Sequence, residues 1–276
     1  MGTLDGKVAF ISGGARGQGR THALRLARDG ADIITFDICE QIDSAPYPLA
    51  TEDDLAETVR QVESLGRKIV ARKADVRDQI AVEKAFQEGL AEFGRVDIVL
   101  ANAGIMPIVG PTSTRVSAWH DSIDVMLTGV VYTLEAAVPT LVEQNEGGSI
   151  VITSSVAGLK GTARSLRTNT YGLLGYTAAK HGVIGLMRSY ANALSGSNIR
   201  VNTIHPTGAN TQMVVNDAFL GSAEQFPELF ESMSNALPVQ LIEPEDVSNA
   251  IAWLVSDEAR YVTGAVFPVD AGASVR

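Results

Sequence analysis

Cysteine is almost missing: Cys39 is the single thiol in 276 residues. No internal disulfide can form, and a reducing compartment is expected. Positive charge is also short. With 22 Lys and Arg against 32 Asp and Glu, the formal net charge is −10 at pH 7, and the chain offers no basic stripe for a nucleic-acid backbone. The acidic balance is expected to serve solubility. His22, His120, His181 and His205 show no metal-ligand grouping, so no metal is expected. The N-terminus lacks the basic and apolar regions of a leader, and no uninterrupted apolar run has membrane-spanning length. A cytoplasmic location without membrane contact is therefore expected. At 45% hydrophobic residues, the chain suffices for one large α/β domain with a buried core.

What the sequence does contain is an alternation of short apolar runs and longer helical patterns. Lys7-Val8-Ala9-Phe10-Ile11 reads as a buried parallel strand. Ser12-Gly13-Gly14-Ala15-Arg16-Gly17-Gln18-Gly19 follows, opening into a helical pattern at Leu24, Leu26 and Ala27. A glycine turn between strand and helix suits a dinucleotide. Gly13, Gly17 and Gly19 allow close backbone approach, and the helix N-terminus offers free N–H groups to a pyrophosphate. The second strand, Asp32–Phe36, ends at Asp37, 18 residues beyond Gly19. A carboxylate there accepts hydrogen bonds from ribose hydroxyls and repels a 2′-phosphate, so NAD is expected rather than NADP. Arg16 is the competing feature, because a guanidinium in the glycine loop can receive that phosphate.

Residues 38–50, with Pro46, Tyr47 and Pro48, form an insertion ahead of the next helix. It is expected either to cover the adenosine side of the cofactor or to stand as a surface Ω-loop. Thr51 and Asp54 then make a capping box for a helix running to about Leu65. Further strands are expected at Lys68–Lys73, Asp97–Leu100, Ser149–Thr153, Ile199–Ile204 and Ala265–Val269, with helices from about Gln79 to Phe93 and from Pro244. The sum is a single-domain, Rossmann-like, doubly wound parallel sheet of about seven strands with helices on both faces. Between Val214 and Leu237 lie Phe219, Leu220, Phe226, Leu229, Phe230 and Met233 without a strand pattern. They read as a mobile apolar lid spanning roughly 209–237 over a substrate, or alternatively as packing between subunits. Met106, Ile108 and Val109 could extend the apolar pocket.

In Gly175-Tyr176-Thr177-Ala178-Ala179-Lys180-His181-Gly182, the Tyr176 phenol and the Lys180 ammonium lie four residues apart on one helix face. A free tyrosine titrates near ~10, about two to three units too high for a base at neutral pH. A fixed ammonium one turn away, joined by the positive ring of an oxidised nicotinamide, is an environment that lowers it. The helix continues through Val183, Leu186 and Met187 to about Leu194. Its apolar stripe, with Gly182 and Gly185, is expected to pack within its own subunit or against another.

From Lys7 to Gly272 these motifs, G-x-x-x-G-x-G and Y-x-x-x-K among them, resemble the short-chain dehydrogenase/reductase family. The resemblance implies an NAD-dependent enzyme that interconverts a secondary alcohol and its ketone. Tyr176 would remove the hydroxyl proton, Ser155 would fix the oxygen, and Lys180 would lower the tyrosine pKa and hold the nicotinamide ribose. It implies a cofactor site made of Gly13, Arg16, Gly17, Gln18, Gly19 and Asp37, with Asp75 and Val76 at the adenine and Asn102, Ala103 and Gly104 in the turn beside the cofactor. Pro206, Thr207, Gly208, Thr211 and Met213 would complete it near the nicotinamide. His205 is expected to be structural.

The chain departs from the family pattern at several places. Ser12 stands for the usual Thr, Ala101 for an Asn, and Met126 for an Asn that helps hold a water in the proton path. The gap from Ser155 to Tyr176, 21 residues, exceeds the usual one, and the extra polar stretch Ala163–Asn169 is expected at the surface. The insertion, the long gap and His205-Pro206-Thr207-Gly208 together resemble the carveol dehydrogenase-like, mycofactocin-coupled branch, in which the extra segment is associated with tightly held NAD. That implies an apolar, carveol-like alcohol or ketone, a homo-oligomer (dimer or tetramer) and an external redox acceptor of the mycofactocin type. Two other readings remain: an NADP-linked ketone reductase of the same family, and a cofactor-binding protein whose catalysis is weakened by Met126.

Overall fold

A computed structural model describes residues 2–276. Strands and helices alternate along it: β1 Val8–Ser12, α1 Gly17–Arg28, β2 Asp32–Asp37, α2 Glu52–Ser64, β3 Ile69–Lys73, α3 Gln79–Phe93, β4 Ile98–Ala101, α4 Val116–Ile123, α5 Gly129–Gln144, β5 Gly148–Thr153, α6 Tyr171–Ala193, β6 Ile199–Pro206, α7 Asp217–Gly221, α8 Pro227–Ser232, α9 Pro244–Val255 and β7 Val266–Val269. The strands form one seven-stranded sheet in the order β3-β2-β1-β4-β5-β6-β7, with every neighbouring pair parallel. The order reverses between β1 and β4, the switch point at which doubly wound sheets open a crevice beyond their carboxyl ends.

Alternation along each strand feeds both faces of the sheet. Phe10 and Phe36 pack with Phe86 of α3 and Leu134 of α5 in one core. Ala9 and Ile11 turn to the other face and meet Leu26 of α1 and Ile251 of α9. The expected capping box at α2 is present: Asp54 N donates to Thr51 Oγ1 at 3.2 Å, and Thr51 N donates to the Asp54 carboxylate at 2.9 Å. β1 and β4 begin one residue later than expected, and β6 runs two residues further, through Pro206.

The segment Val116–Gln144, which includes a π-helical turn at Asp124–Thr128, is long and apolar enough to cross a membrane by length and composition. Here it lies along the sheet, with Met126, Val130, Leu134 and Leu141 in the core. On α6, Val183 and Met187 are buried and Gly182 lies against Leu127, while Gly185 is exposed.

The insertion is a braced loop. The Gln41 amide donates to the carbonyls of Ile42 and Ala45 at 3.1 Å and of Tyr47 at 3.3 Å, and its oxygen accepts from Leu49 N at 3.0 Å. It docks on the segment after β4, where Met106 N donates to the buried Tyr47 hydroxyl at 3.0 Å and Thr112 Oγ1 donates to Ser44 O at 3.1 Å. The stretch before α6 does stand at the surface, with Leu166 94% exposed. Its two ends are pinned by the buried Thr162 and Thr168, and Arg167 and Ser165 bond Gln225 O and the Glu228 carboxylate, each at 3.1 Å.

Candidate active site

Two cavities lie beyond the carboxyl edge of the sheet. The first, about 600 Å³, is lined by the glycine turn from Gly13 to Gly19, by Asp37, Asp75 and Val76, by Asn102, Ala103 and Gly104, and by Tyr176, Lys180, Thr211 and Met213. The second, about 710 Å³, is mostly apolar and reaches Ser155, Pro206, Thr207, Gly208 and the lid residues Phe219, Phe230 and Met233. They share Gln18, Ser154, Tyr176, Thr211, Met213 and Val215. Pro206, Thr207 and Gly208, expected around a cofactor, thus line only the second cavity.

The glycine turn is held from below. Ser12 Oγ accepts from Asn102 N at 3.0 Å and Ala103 N at 3.1 Å, while the Asn102 amide donates to Ser12 O at 3.1 Å and Gly13 O at 3.3 Å. Ser12, which replaces the family's usual Thr, therefore supplies the hydroxyl that ties β1 to β4. Gly13 has φ +74°, and a Cβ on it would come within 2.8 Å of Ala103 Cα, so only glycine fits. At the start of α1, no side chain caps the helix and no acidic residue occupies the first turn. Its N–H groups are left to bind an anion in the first cavity.

Asp37 is 9% exposed and accepts from Ala15 N at 3.0 Å and Cys39 N at 3.3 Å. Burial pushes its pKa up, and the backbone donors oppose that. Arg16 does not stand free in the turn: its guanidinium bonds Pro48 O of the insertion and the Gln212 side chain. Both oxygens of Asp75 are engaged by Arg77, through Nε at 3.1 and 2.9 Å and Nη2 at 2.7 Å. Ile38, Ile42, Leu49 and Ala50 of the insertion also line the first cavity, while Tyr47 joins the apolar cluster around Met106, Leu173 and Tyr176. The insertion thus lines the first cavity directly and, through Tyr47, packs behind residues such as Met106 and Leu173 that line the second.

At the seam, Tyr176 borders both cavities, with Lys180 on the first side and Ser155 on the second. Lys180 Nζ donates to Thr153 O at 2.8 Å and lies 5.8 Å from the Tyr176 ring centroid. Burial raises the phenol's pKa, and the hydrogen bond with the Ser155 hydroxyl works against that rise. The expected lowering by Lys180 is therefore not supplied by the chain alone, because desolvation of the phenolate dominates when no further positive charge is near. Ser155 Oγ also accepts from Ala157 N at 3.1 Å. Ser154 instead donates to Lys180 O at 2.7 Å and is structural.

His205 is fully buried, with Nδ1 2.9 Å from Ser155 O and Nε2 2.9 Å from Thr203 Oγ1. A carbonyl can only accept, so Nδ1 carries the proton. Burial takes the ring's pKa down to about 4, so it stays neutral and holds the Ser155 backbone rather than moving protons. No cluster of three or more metal-ligating side chains exists among the described residues.

Burial takes the Lys180 pKa down from 10.5 to about 8. Between those values the unfolded chain keeps a proton that the folded one has lost, so stability rises with pH through the window, and below it the full cost is present. The difference corresponds to roughly 3 kcal/mol. Lys180→Met removes the group, so the stability gap between wild type and variant should change by an amount of that order between pH 8 and 10.5. Denaturant unfolding at a series of pH values reads it, and a flat gap would refute the buried, perturbed lysine.

The fold and this paired-cavity site define a dinucleotide-dependent α/β oxidoreductase architecture. Residues 13–274 match the family described as enoyl-(acyl carrier protein) reductase, and the chain belongs to the short-chain dehydrogenase/reductase family. It is 57% identical over 272 residues to an uncharacterised oxidoreductase of Mycobacterium tuberculosis, covering 98% of this chain and 96% of that protein. It is 44% identical over 290 residues to (−)-trans-carveol dehydrogenase of Rhodococcus erythropolis, covering all of both. The crystal structure of carveol dehydrogenase from Mycobacterium avium in complex with NAD superposes with a TM-score of 0.92 at 46% identity, covering 100% of each chain.

Proposed function

We propose that this protein is an NAD-dependent dehydrogenase that interconverts an apolar, carveol-like secondary alcohol and its ketone. The observation that carries this is the position of Tyr176 on the seam between a glycine-cradled cavity and an apolar one, flanked by Ser155 and Lys180. The first cavity fits a dinucleotide: Gly13 leaves room that a Cβ would fill, the uncapped start of α1 suits a pyrophosphate, and Asp37 suits ribose hydroxyls. Gln18, Val76, Asn102–Gly104, Thr211 and Met213 would hold the remainder. When bound, oxidised NAD supplies the hydride acceptor and a positive charge beside the phenol.

Within that site Tyr176 takes the carbinol proton, and Ser155 donates to the substrate oxygen. Lys180, fixed by the Thr153 carbonyl, adds positive potential that favours the phenolate. Met126 cannot hold a water, yet it borders the cavity from the π-helical turn at Asp124–Thr128. Such a turn rearranges backbone partners at functional sites, which supports a proton path rebuilt from backbone and water. Arg16, tied to Pro48 and Gln212, supports a cofactor held beneath the insertion rather than a phosphate-binding arginine. A homo-oligomer in the cytoplasm, passing electrons to a mycofactocin-type acceptor, completes the proposal.

The test measures oxidation of apolar secondary alcohols with an artificial electron acceptor present. Wild type should use NAD and reject NADP, and Asp37→Ser should narrow that discrimination about tenfold or more by removing the carboxylate from the 2′-phosphate position. Equal use of both cofactors by wild type would favour the NADP-linked reading. An inert wild type rescued by Met126→Asn would favour a cofactor-binding protein.

A further inference from the structure

Fourteen large apolar side chains are exposed among the described residues. Ten of them line neither cavity, and scattered exposure of that kind is ordinary for a protein surface. The other four, Val215, Leu220, Leu237 and Val239, are between 42% and 60% exposed and all line the second cavity. They mark its mouth. Ser155 and Tyr176 line the same cavity, with Tyr176 at the seam to the cofactor side. One cavity thus joins the reacting groups to an apolar opening at the surface.

The lid builds that opening. In α7, Phe219 turns inward, where its ring meets that of Phe230 with centroids 4.7 Å apart, and the adjacent Leu220 is left outside. Leu237 and Val239 flank Pro238 in a segment whose backbone is held: Leu237 N donates to Ala271 O at 2.9 Å, and the Asn235 amide donates to Val239 O at 2.9 Å. Apolar side chains fixed in water at a cavity mouth gain nothing from folding, and a bound hydrocarbon would cover them. Charge is missing from the same surface. The lining includes neutral polar residues, Gln18, Thr207, Asn235 and Gln240 among them, but among the described residues no Asp, Glu, Lys, Arg or His borders it, although 20% of the chain is charged. A ligand ending in a carboxylate or phosphate would find no cation there.

Resting on the secondary-alcohol reading above, we propose that the substrate is an uncharged secondary alcohol, or its ketone, bearing an apolar tail longer than the carveol skeleton. The carbinol sits at Tyr176 and Ser155, and the tail runs out past Leu220, Leu237 and Val239. Size agrees with this. The cavity, about 710 Å³, belongs among those that enclose drug-sized ligands, and a carveol-sized alcohol held at Tyr176 would leave the four side chains of the mouth in water. Each methylene added to the tail exchanges water for this wall, so transition-state binding grows with length until the mouth is passed.

The experiment measures kcat/KM along the series 2-hexanol, 2-octanol, 2-decanol and 2-dodecanol. Wild type should gain about threefold per added methylene, the effect of moving one CH₂ out of water, and the rise should continue beyond 2-octanol. A maximum at 2-octanol or shorter overturns the proposal. The double variant Leu220→Ser, Leu237→Ser should flatten the rise from 2-octanol to 2-dodecanol by about tenfold. A rise unchanged in that variant also overturns it, and a concurrent loss of assembly would give the mouth to a contact between copies of the chain. 9-Hydroxydecanoate, which ends in a carboxylate, should fall at least about tenfold below 2-decanol, and equal use of the two would refute the uncharged class. If no alcohol is oxidised, the dehydrogenase reading fails, while calorimetric binding of the same series to the NAD-loaded protein still decides on the tail by the same increments.

Discussion

Tyr176→Phe should lower turnover by at least about a thousandfold while NAD affinity stays within about twofold. The large effect follows from what the phenol does at the seam. General base catalysis by a positioned side chain contributes roughly 10²–10⁴-fold, and among the described residues no other titratable side chain borders both cavities. The small effect follows from shape, because phenylalanine keeps the ring that packs with Met106, Ile108 and Leu173. What is lost is the oxygen and its hydrogen bond with Ser155. Steady-state oxidation of an apolar secondary alcohol gives the first quantity and calorimetric titration with NAD the second. Turnover within tenfold of wild type would remove Tyr176 from the chemistry.

The same argument explains why burial raises the phenol's pKa before cofactor binding. Lys180 has itself been pulled down to about 8 by desolvation and stays mostly charged at neutral pH, yet burial of the phenol still outweighs it. Base strength in this site then depends on charge brought by the cofactor, which couples proton removal to its presence. Sequence spacing revealed the Tyr176–Lys180 pairing but not this balance, because desolvation depends on what the whole fold excludes from the site.

Other features divide along the same line. The strand–glycine turn–helix unit, the Thr51–Asp54 capping box and the seven parallel strands were legible because each is written in neighbouring residues, by period or by fixed offset. Contacts between distant residues were not. Nothing local to Arg77 shows that, while holding its near neighbour Asp75, it also reaches Asp121, 44 residues on, at 3.2 Å. Nothing local to the insertion shows that Tyr47 crosses to Met106 N, 59 residues away. Thr162 was hidden for a further reason: the polar stretch around it reads as surface, and most of it is, yet its first anchor turns inward. Arg16 shows the converse, a residue whose identity suggested a phosphate ligand and whose position gives it to Pro48 and Gln212.

Gly19→Ala should weaken NAD binding by about a hundredfold or more. A Cβ at this position would sit 1.9 Å from Gly13 O and 2.9 Å from the Asn102 amide nitrogen. Neither neighbour can yield cheaply. Gly13 O is main chain, and Asn102 is the residue that ties the turn to β4 through Ser12 O and Gly13 O. The turn must therefore open, carrying the first N–H groups of α1 away from the pyrophosphate they are placed to bind. Hydrogen bonds to charged groups contribute about 1.5–3 kcal/mol each, so losing one or two gives an effect of this size. Gly185→Ala serves as the reference, since nothing lies within 4 Å of a Cβ there. On the α6 helix that change should stabilise by about 0.5–1 kcal/mol and leave NAD affinity unaltered. Calorimetric titration and thermal unfolding of both variants separate the two cases. If Gly19→Ala binds NAD as wild type does, the glycine turn is not the phosphate cradle, and the cofactor site must lie elsewhere along the sheet edge.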